Sequence, residues 1–172
     1  RQVHSIESDI YSKNEAAQSL AFSMIATIVP DVLVNALSGM IIDIATTNKH
    51  STAIRKKAIM CFARIVKKYP AKFDPKKYVS AVSEMFEPKH MSLSFQSAAA
   101  SLLLTLMNQT NPEIFKEVQP KIARALHKLT ISKDCSMDYL YYTTPNPWLQ
   151  MKLYKILQIW SPPEETGVLS LI

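Results

Sequence analysis

Three observations predict that this sequence folds as an all-α solenoid of stacked helical hairpins. Gly39 and Gly167 are its only glycines, whereas Ala, Leu, Ile, Lys and Met are plentiful; sheet turns normally consume glycine, so the balance favours helices. Prolines fall at nearly regular intervals between stretches of helical spacing, as expected of a residue that cannot continue a helix. Ala21, Ala58 and Ala98 occupy equivalent places in the longer stretches, 37 and 40 residues apart, a period that denotes repeated helical hairpins. One hairpin cannot bury its own apolar face, so stacking must supply the core. Residues 1–172 therefore read as one segment of a longer right-handed superhelix, holding about four hairpins.

Residues 3–11 carry Val3, Ile6 and Ile10 at one-sided helical spacing, and Ser12-Lys13-Asn14 offers the cap of a second helix running to about Val29. Its expected inner face is Ala17, Leu20, Ala21, Met24, Ile25 and Ile28. Pro30-Asp31 starts a third helix, through Ile44, that is apolar almost all round. After a turn at residues 48–51, a long helix from Ser51 to Tyr69 places Ile54, Ala58, Cys61, Phe62, Ile65 and Val66 on one face, and Pro70 ends it. Asp74-Pro75 opens a helix through Met85-Phe86, stopped by Pro88. The next runs from about Met91 to Asn108, where Ala98-Ala99-Ala100 lets a neighbouring helix approach closely. Asn111-Pro112-Glu113 caps a further helix to about Leu129, with a break near Gln119 imposed by Pro120. Residues 130–146 lack helical periodicity; a loop that long is usually functional or interface-forming. Helical spacing resumes from Trp148 to Trp160. Ile54-Arg55-Lys56-Lys57-Ala58 has the shape of a HEAT or armadillo second helix, in which an aliphatic-basic pair precedes a small residue.

Composition limits the function classes. With 48% hydrophobic and 20% charged residues the chain has ample material for a core. No basic segment followed by an apolar run and cleavage site opens it, and its apolar runs fall far short of the ~20 residues that span a bilayer. Cys61 and Cys135, 74 positions apart without a partner motif, fit a reducing cytosol. A start at Arg1 and an end at Leu171-Ile172 read as a piece of a longer protein. Two isolated glycines cannot write a dinucleotide fingerprint or a P-loop. His4, His50, His90 and His127 show no metal-ligand spacing, so no metal or cofactor is expected. His127, Cys135 and Asp138 lie close enough in sequence to assemble as a thiol triad, but the plainer reading is three unrelated surface and loop residues. Asn108-Gln109-Thr110 matches a glycosylation acceptor that a cytosolic chain never presents. No catalytic residue is assigned.

Charge carries the one physical sign of binding. The net charge is +6, and Arg55, Lys56, Lys57, Arg64, Lys67, Lys68, Lys72, Lys76 and Lys77 place nine cations within 23 residues. Lys57, Arg64 and Lys68 recur at spacings of seven and four and share a helix face, which Lys72, Lys76 and Lys77 extend. Such a face attracts phosphate, each cation near an anionic leaflet contributing roughly 1 kcal/mol. The bland alternative is a solvated face, or one paired with the acids of a partner subunit. Nucleic-acid binding is not expected, because aromatics are sparse in the cluster and no recognition motif accompanies it. An armadillo import receptor would place asparagine four residues after tryptophan, whereas Trp148 is followed there by Lys152 and Trp160 by Glu164.

The strongest signal lies late in the chain. Asn111-Pro112-Glu113-Ile114-Phe115-Lys116, Tyr139 to Tyr142, Pro147-Trp148-Leu149 and Pro162-Pro163-Glu164 together resemble the adaptin family, most closely the alpha-adaptins of the plasma-membrane clathrin adaptor complex. In that family a tyrosine-rich loop enters a Pro-Trp-Leu helix that closes on prolines and acids. The gamma-type adaptins of the Golgi and endosomal adaptor have a different helix here, although Arg55-Lys56-Lys57-Ala58 looks more like gamma. The resemblance covers essentially the whole chain, weakly at first and strongly from Asn111 onward.

The resemblance implies a scaffold rather than an enzyme. The family's alpha trunk curls around the small sigma subunit, joins the beta and mu subunits, and presents cargo to clathrin at a phosphoinositide-rich plasma membrane. The family's principal phosphoinositide pocket and its basic dileucine contact precede the region matched here, so no residue is carried over for them. Tyr139, Tyr141, Tyr142, Pro147, Trp148, Leu149, Pro162 and Pro163 form the family signature and are expected to pack, the large aromatics filling the groove between hairpins. Alternatives are a gamma-type adaptin, or a general armadillo or HEAT binding module serving nuclear transport or nucleic acid.

Overall fold

The structure, a computed structural model, describes residues 2–28, 30–87 and 92–162, and for residues 2 and 3 the backbone alone. The described residues form eight α-helices: α1 (Gln2–Ile10), α2 (Glu15–Ile28), α3 (Asp31–Thr46), α4 (Thr52–Lys68), α5 (Val79–Met85), α6 (Leu93–Met107), α7 (Gln119–Thr130) and α8 (Pro147–Leu157). A two-stranded antiparallel ribbon, β1 (Leu140–Tyr141) and β2 (Thr144–Pro145), precedes α8. The chain divides into two compact units, Arg1–Asp74 and Pro75–Ile172. Each contains two helical hairpins, and the all-α, α-solenoid class is as the proline spacing and alanine period led us to expect.

In the first unit α1 packs on α2, α3 on α4, and α2 lies beside α4. The start of α2 follows from local chemistry, since Asn14 Oδ1 accepts from the Ala16 amide at 2.9 Å. Likewise the Ser51 hydroxyl accepts from the Ile54 amide at 3.4 Å and starts α4. The core face expected of α4 is buried in full: Ile54, Ala58, Cys61, Phe62, Ile65 and Val66. Phe62 meets Phe73 edge to face with centroids 5.5 Å apart.

The expected face of α2 is rotated, with Ala21 and Ile25 buried as expected but Leu20, Met24 and Ile28 turned outward. Leu20 and Ile28 are 71% and 68% exposed and Met24 is also outside, whereas Gln18, Ala21, Phe22 and Ile25 are buried. Apolar residues occur around most of α2, so periodicity does not select one stripe. What selects it is that Gln18 Nε2 donates to Ile10 O at 2.7 Å, satisfying a carbonyl at the end of α1.

In the second unit α5 packs on α6, α7 on α8, and α6 lies beside α8. The alanine run of α6 is buried at Ala98, Ala99 and Ala100. Two helix starts differ from expectation. Asp74-Pro75 leads into a 3-10 turn at Pro75–Tyr78, and α5 begins only at Val79. Asn111 Oδ1 accepts from Glu113 N at 3.0 Å, but the helix it caps is 3-10 from Pro112 to Val118. The α form starts at Gln119, with Pro120 in its first turn, where the missing amide costs nothing. Residues 130–146 contain a short 3-10 turn, Met137–Tyr139, and the β ribbon rather than irregular loop alone. The expected start at Met91, the stop at Pro88, the end near Val29 and the signature position Pro163 lie outside the described residues.

Lysines clasp consecutive hairpins in both units. Lys57 on α4 donates to the Ser19 hydroxyl on α2. Lys152 on α8 donates to Ser97 O at 3.2 Å and Ser97 Oγ at 2.9 Å on α6. Lys121 on α7 donates to Ser83 Oγ at 2.7 Å and pairs with Glu87. Burial lowers the pKa of Lys152, and hydrogen bonds from a charged donor contribute about 1.5–3 kcal/mol. Lys152→Met, which keeps the stem but removes the donors, should lower unfolding free energy by about 2 kcal/mol, read as a shifted urea midpoint at unchanged slope.

Candidate functional site

The basic cluster is organised by α4, whose 17 residues include no acid. Away from its buried stripe, the helix presents Lys57, Met60, Arg64, Lys67 and Lys68 to solvent, with Lys56 half-buried beside them. Helical geometry explains the grouping: positions 57, 64 and 68 fall within a narrow arc, and 56, 60 and 67 widen it on one side. Lys67 and Lys68 stand in the last turn, where they also complement the helix dipole. The Lys68 ammonium lies 5.1 Å from the Tyr69 ring centroid.

The nine cations of the cluster do not act as one surface. Arg55 is 6% exposed, its Nε donating to Ala45 O at 3.1 Å and Nη2 to Thr46 O at 3.4 Å. It therefore closes the C-terminal end of α3 and is no surface contact, because position 55 lies on the opposite arc of α4 from Arg64. Lys72 pairs with Asp31 at 2.8 Å and donates to the Asp31 carbonyl, also at 2.8 Å. Lys76 and Lys77 are exposed but belong to the second unit. The outward set on α4 is thus Lys56, Lys57, Arg64, Lys67 and Lys68, of which Lys57 also serves the clasp to α2.

The signature aromatics are arranged otherwise than expected. Leu149 is buried and Pro147 half-buried, but Tyr141 and Trp148 are exposed and Tyr142 is 87% exposed. Tyr139 is partly exposed, and Pro162 is exposed. The groove is filled instead by Leu149, Leu153, Ile156 and Trp160, whose indole donates to Pro112 O at 2.9 Å. Sequence reasoning missed this because the ribbon lifts Tyr141 and Tyr142 off the helices, and its Tyr142-Thr143 turn lacks the asparagine-glycine signal of short hairpins.

A cavity of about 340 Å³ in the second unit is lined in part by Lys128, Asp134, Cys135, Ser136 and Tyr139. Lys128 pairs with Asp134 at 2.9 Å across it. Among the described residues no group of three or more His, Cys, Asp or Glu could hold a metal ion, and no helix is long and apolar enough to cross a membrane. Burial pushes the Cys61 thiol up to about 12. The unfolded chain then binds fewer protons than the folded one between about pH 9 and 12, so stability falls as pH rises through that window, by up to about 1.4 kcal/mol per pH unit. Below it Cys61 stays a thiol. An aromatic disulfide reagent at pH 8 should therefore titrate Cys135 in the folded protein and Cys61 only after denaturant.

Hairpins of paired helices, joined by lysine clasps within each unit, define a helical-repeat protein. The chain belongs to the adaptin N-terminal region family, whose model matches residues 2–168. It is 25% identical over 163 residues to AP-2 complex subunit alpha-1 of Arabidopsis thaliana, covering 95% of this chain and 16% of that protein. It is 28% identical over 165 residues to AP-2 complex subunit alpha-2 of Dictyostelium discoideum, with the same coverage. It is also 28% identical over 167 residues to AP-2 complex subunit alpha of Schizosaccharomyces pombe, covering 18% of that protein. The chain thus spans about one sixth of the length of these relatives.

Proposed function

We propose that this chain is a non-catalytic scaffold segment of the large alpha subunit of a clathrin adaptor complex. It acts in clathrin-mediated endocytosis and vesicle-mediated protein transport, on the cytosolic face of the plasma membrane. Its partners are the small sigma, beta and mu subunits, with clathrin engaged indirectly. The observation that carries this reading is likeness to AP-2 alpha subunits from a plant, an amoeba and a yeast, each along 95% of the chain. The tyrosine ribbon leading into Pro147-Trp148-Leu149 supports alpha over gamma. Arg55, which looked gamma-like, has a local reason to be there in either subtype, since it closes α3.

The basic face of α4 is proposed as the contact to a phosphoinositide surface. Each cation held near an anionic leaflet contributes roughly 1 kcal/mol, so Lys56, Arg64, Lys67 and Lys68 together hold a complex that is also tethered elsewhere.

The test is coexpression of the full-length large subunit with the sigma subunits of the plasma-membrane and the Golgi adaptors, followed by size exclusion. Coelution with the plasma-membrane form alone is expected. Selection of the Golgi form would turn the assignment to gamma, and coelution with neither would overturn the scaffold reading.

A further inference from the structure

The basic face of α4 has a hydroxyl built into its edge. Lys57 donates to Ser19 Oγ on α2, so Ser19 stands where the two helices meet, beside the outward cations. Three hydroxyls run along this side of α2 at intervals of four residues: Ser19, Ser23 and Thr27. Two of them have committed their protons, since Ser23 Oγ donates to Ser19 O and Thr27 Oγ1 to Ser23 O, each at 2.9 Å. A hydroxyl has one proton to donate and two lone pairs that accept. Ser19 uses a lone pair for Lys57 and, among the described residues, donates to no partner, so its proton is available to a ligand.

From this pairing we infer that Ser19 and Lys57 form a seat for one phosphomonoester of a phosphoinositide headgroup, and that Ser19 is the residue that selects such a lipid over other anionic lipids. The inference rests on the lipid reading of the α4 face proposed above and deepens it, because cations spread over a helix face attract any anionic leaflet and select none. A phosphomonoester carries about −1.5 to −2 charge and three strong acceptor oxygens. The Lys57 ammonium has three protons; one goes to Ser19 and the others are left for phosphate oxygens, while the Ser19 hydroxyl adds its own bond. Accepting from an ammonium polarises that hydroxyl and strengthens what it donates. Lys56 lies beside Lys57, and Arg64 stands on the same arc about 10 Å further along at 1.5 Å per residue, placed for neighbouring phosphates of the same ring. No acid occurs in α4, and the one acid of α2, Glu15, stands a turn before Ser19 and bounds the seat along that helix. A phosphodiester lipid such as phosphatidylserine has a single charge on its phosphate, so it responds to the field of the face but does not fill the seat.

The experiment measures cosedimentation of the full-length protein with phosphoinositide vesicles and with phosphatidylserine vesicles of equal surface charge, comparing wild type, Ser19→Ala and Ser19→Thr. Alanine is the best helix former, so Ser19→Ala leaves α2 intact, and thermal melting by circular dichroism checks each variant. Ser19→Ala should lower partition onto phosphoinositide vesicles by about tenfold, the loss of a hydrogen bond to a charged group. Its partition onto phosphatidylserine vesicles should change by less than about twofold, because the cations remain. Ser19→Thr keeps the hydroxyl and should return phosphoinositide binding to within about twofold of wild type. Inorganic phosphate should displace wild type from phosphoinositide vesicles no more than chloride at equal ionic strength. Displacement by phosphate alone would overturn the headgroup seat in favour of a free-anion site. Equal losses on both vesicles, or failure of threonine to rescue, would overturn it in favour of a hydroxyl that serves only the clasp between α2 and α4. Unchanged phosphoinositide binding by Ser19→Ala would also overturn it, while the lipid reading of the face stands if reversal of Lys56, Arg64 and Lys67 to glutamate still releases the protein. Should that triple reversal leave binding unchanged as well, the lipid reading falls and this inference with it.

Discussion

Replacing Lys56, Arg64 and Lys67 together by glutamate should lower partition of the full-length protein onto phosphoinositide vesicles by about a hundredfold or more. The three positions lie on the outward arc of α4, so the substitution touches none of the helix's buried face. Each cation contributes roughly 1 kcal/mol near an anionic surface, and reversal adds repulsion to the loss of attraction. The effect should shrink as salt rises, since the Debye length falls from about 10 Å at 0.1 M to about 3 Å at 1 M. Lys57 is left in place because its bond to Ser19 ties α4 to α2, and its loss would confound binding with stability. Vesicle cosedimentation with circular dichroism separates the two. Unchanged cosedimentation in the triple variant would refute a membrane role for this face, while a melting temperature close to wild type is expected because Arg64 and Lys67 are exposed and Lys56 is only half-buried.

The opposite outcome is expected at Arg55, one residue away. Arg55→Met should cost about 3 kcal/mol of unfolding free energy, because a methionine keeps most of the stem's volume but leaves the Ala45 and Thr46 carbonyls without their charged donor. Those carbonyls end α3, where a cation also meets the negative end of the helix dipole. Vesicle binding by the variant that remains folded should match wild type. A urea midpoint within error of wild type would show that the end of α3 is satisfied without Arg55. Arg55→Lys should recover only part of the loss, since one ammonium cannot reproduce two diverging guanidinium bonds.

Neighbouring cations with opposite burial show how far the sequence could be read. The concentration of charge at residues 55–77 is visible by counting, yet helical phase separates Arg55 from Arg64, and only packing shows which arc is inside. On α4 the phase was legible, because apolar residues occupy one side and cations the other. On α2 it was not, because Leu20, Met24 and Ile28 are as apolar as Phe22 and Ile25, and the choice between stripes was made by neighbouring helices and by Gln18 reaching Ile10. The aromatic signature failed in the reverse direction. Large rings are usually core, but a ribbon of two residues per strand holds Tyr141 and Tyr142 away from the hairpins, and Trp160 takes the buried place.

By itself the sequence determined the helical class, the hairpin period, the breaks at Pro30, Pro70 and Pro120, the core of α4 and membership of the adaptin family. These follow from backbone sterics and from apolar spacing, which act over a few residues and are written in local order. Only tertiary structure decided which stripe of α2 is buried, that Arg55 closes α3, that three lysines clasp neighbouring hairpins, and that the tyrosine ribbon faces solvent. Each of these depends on a partner eight to 55 positions away or on the space left by packed helices, and pairwise contacts at that range leave no periodic mark in the chain.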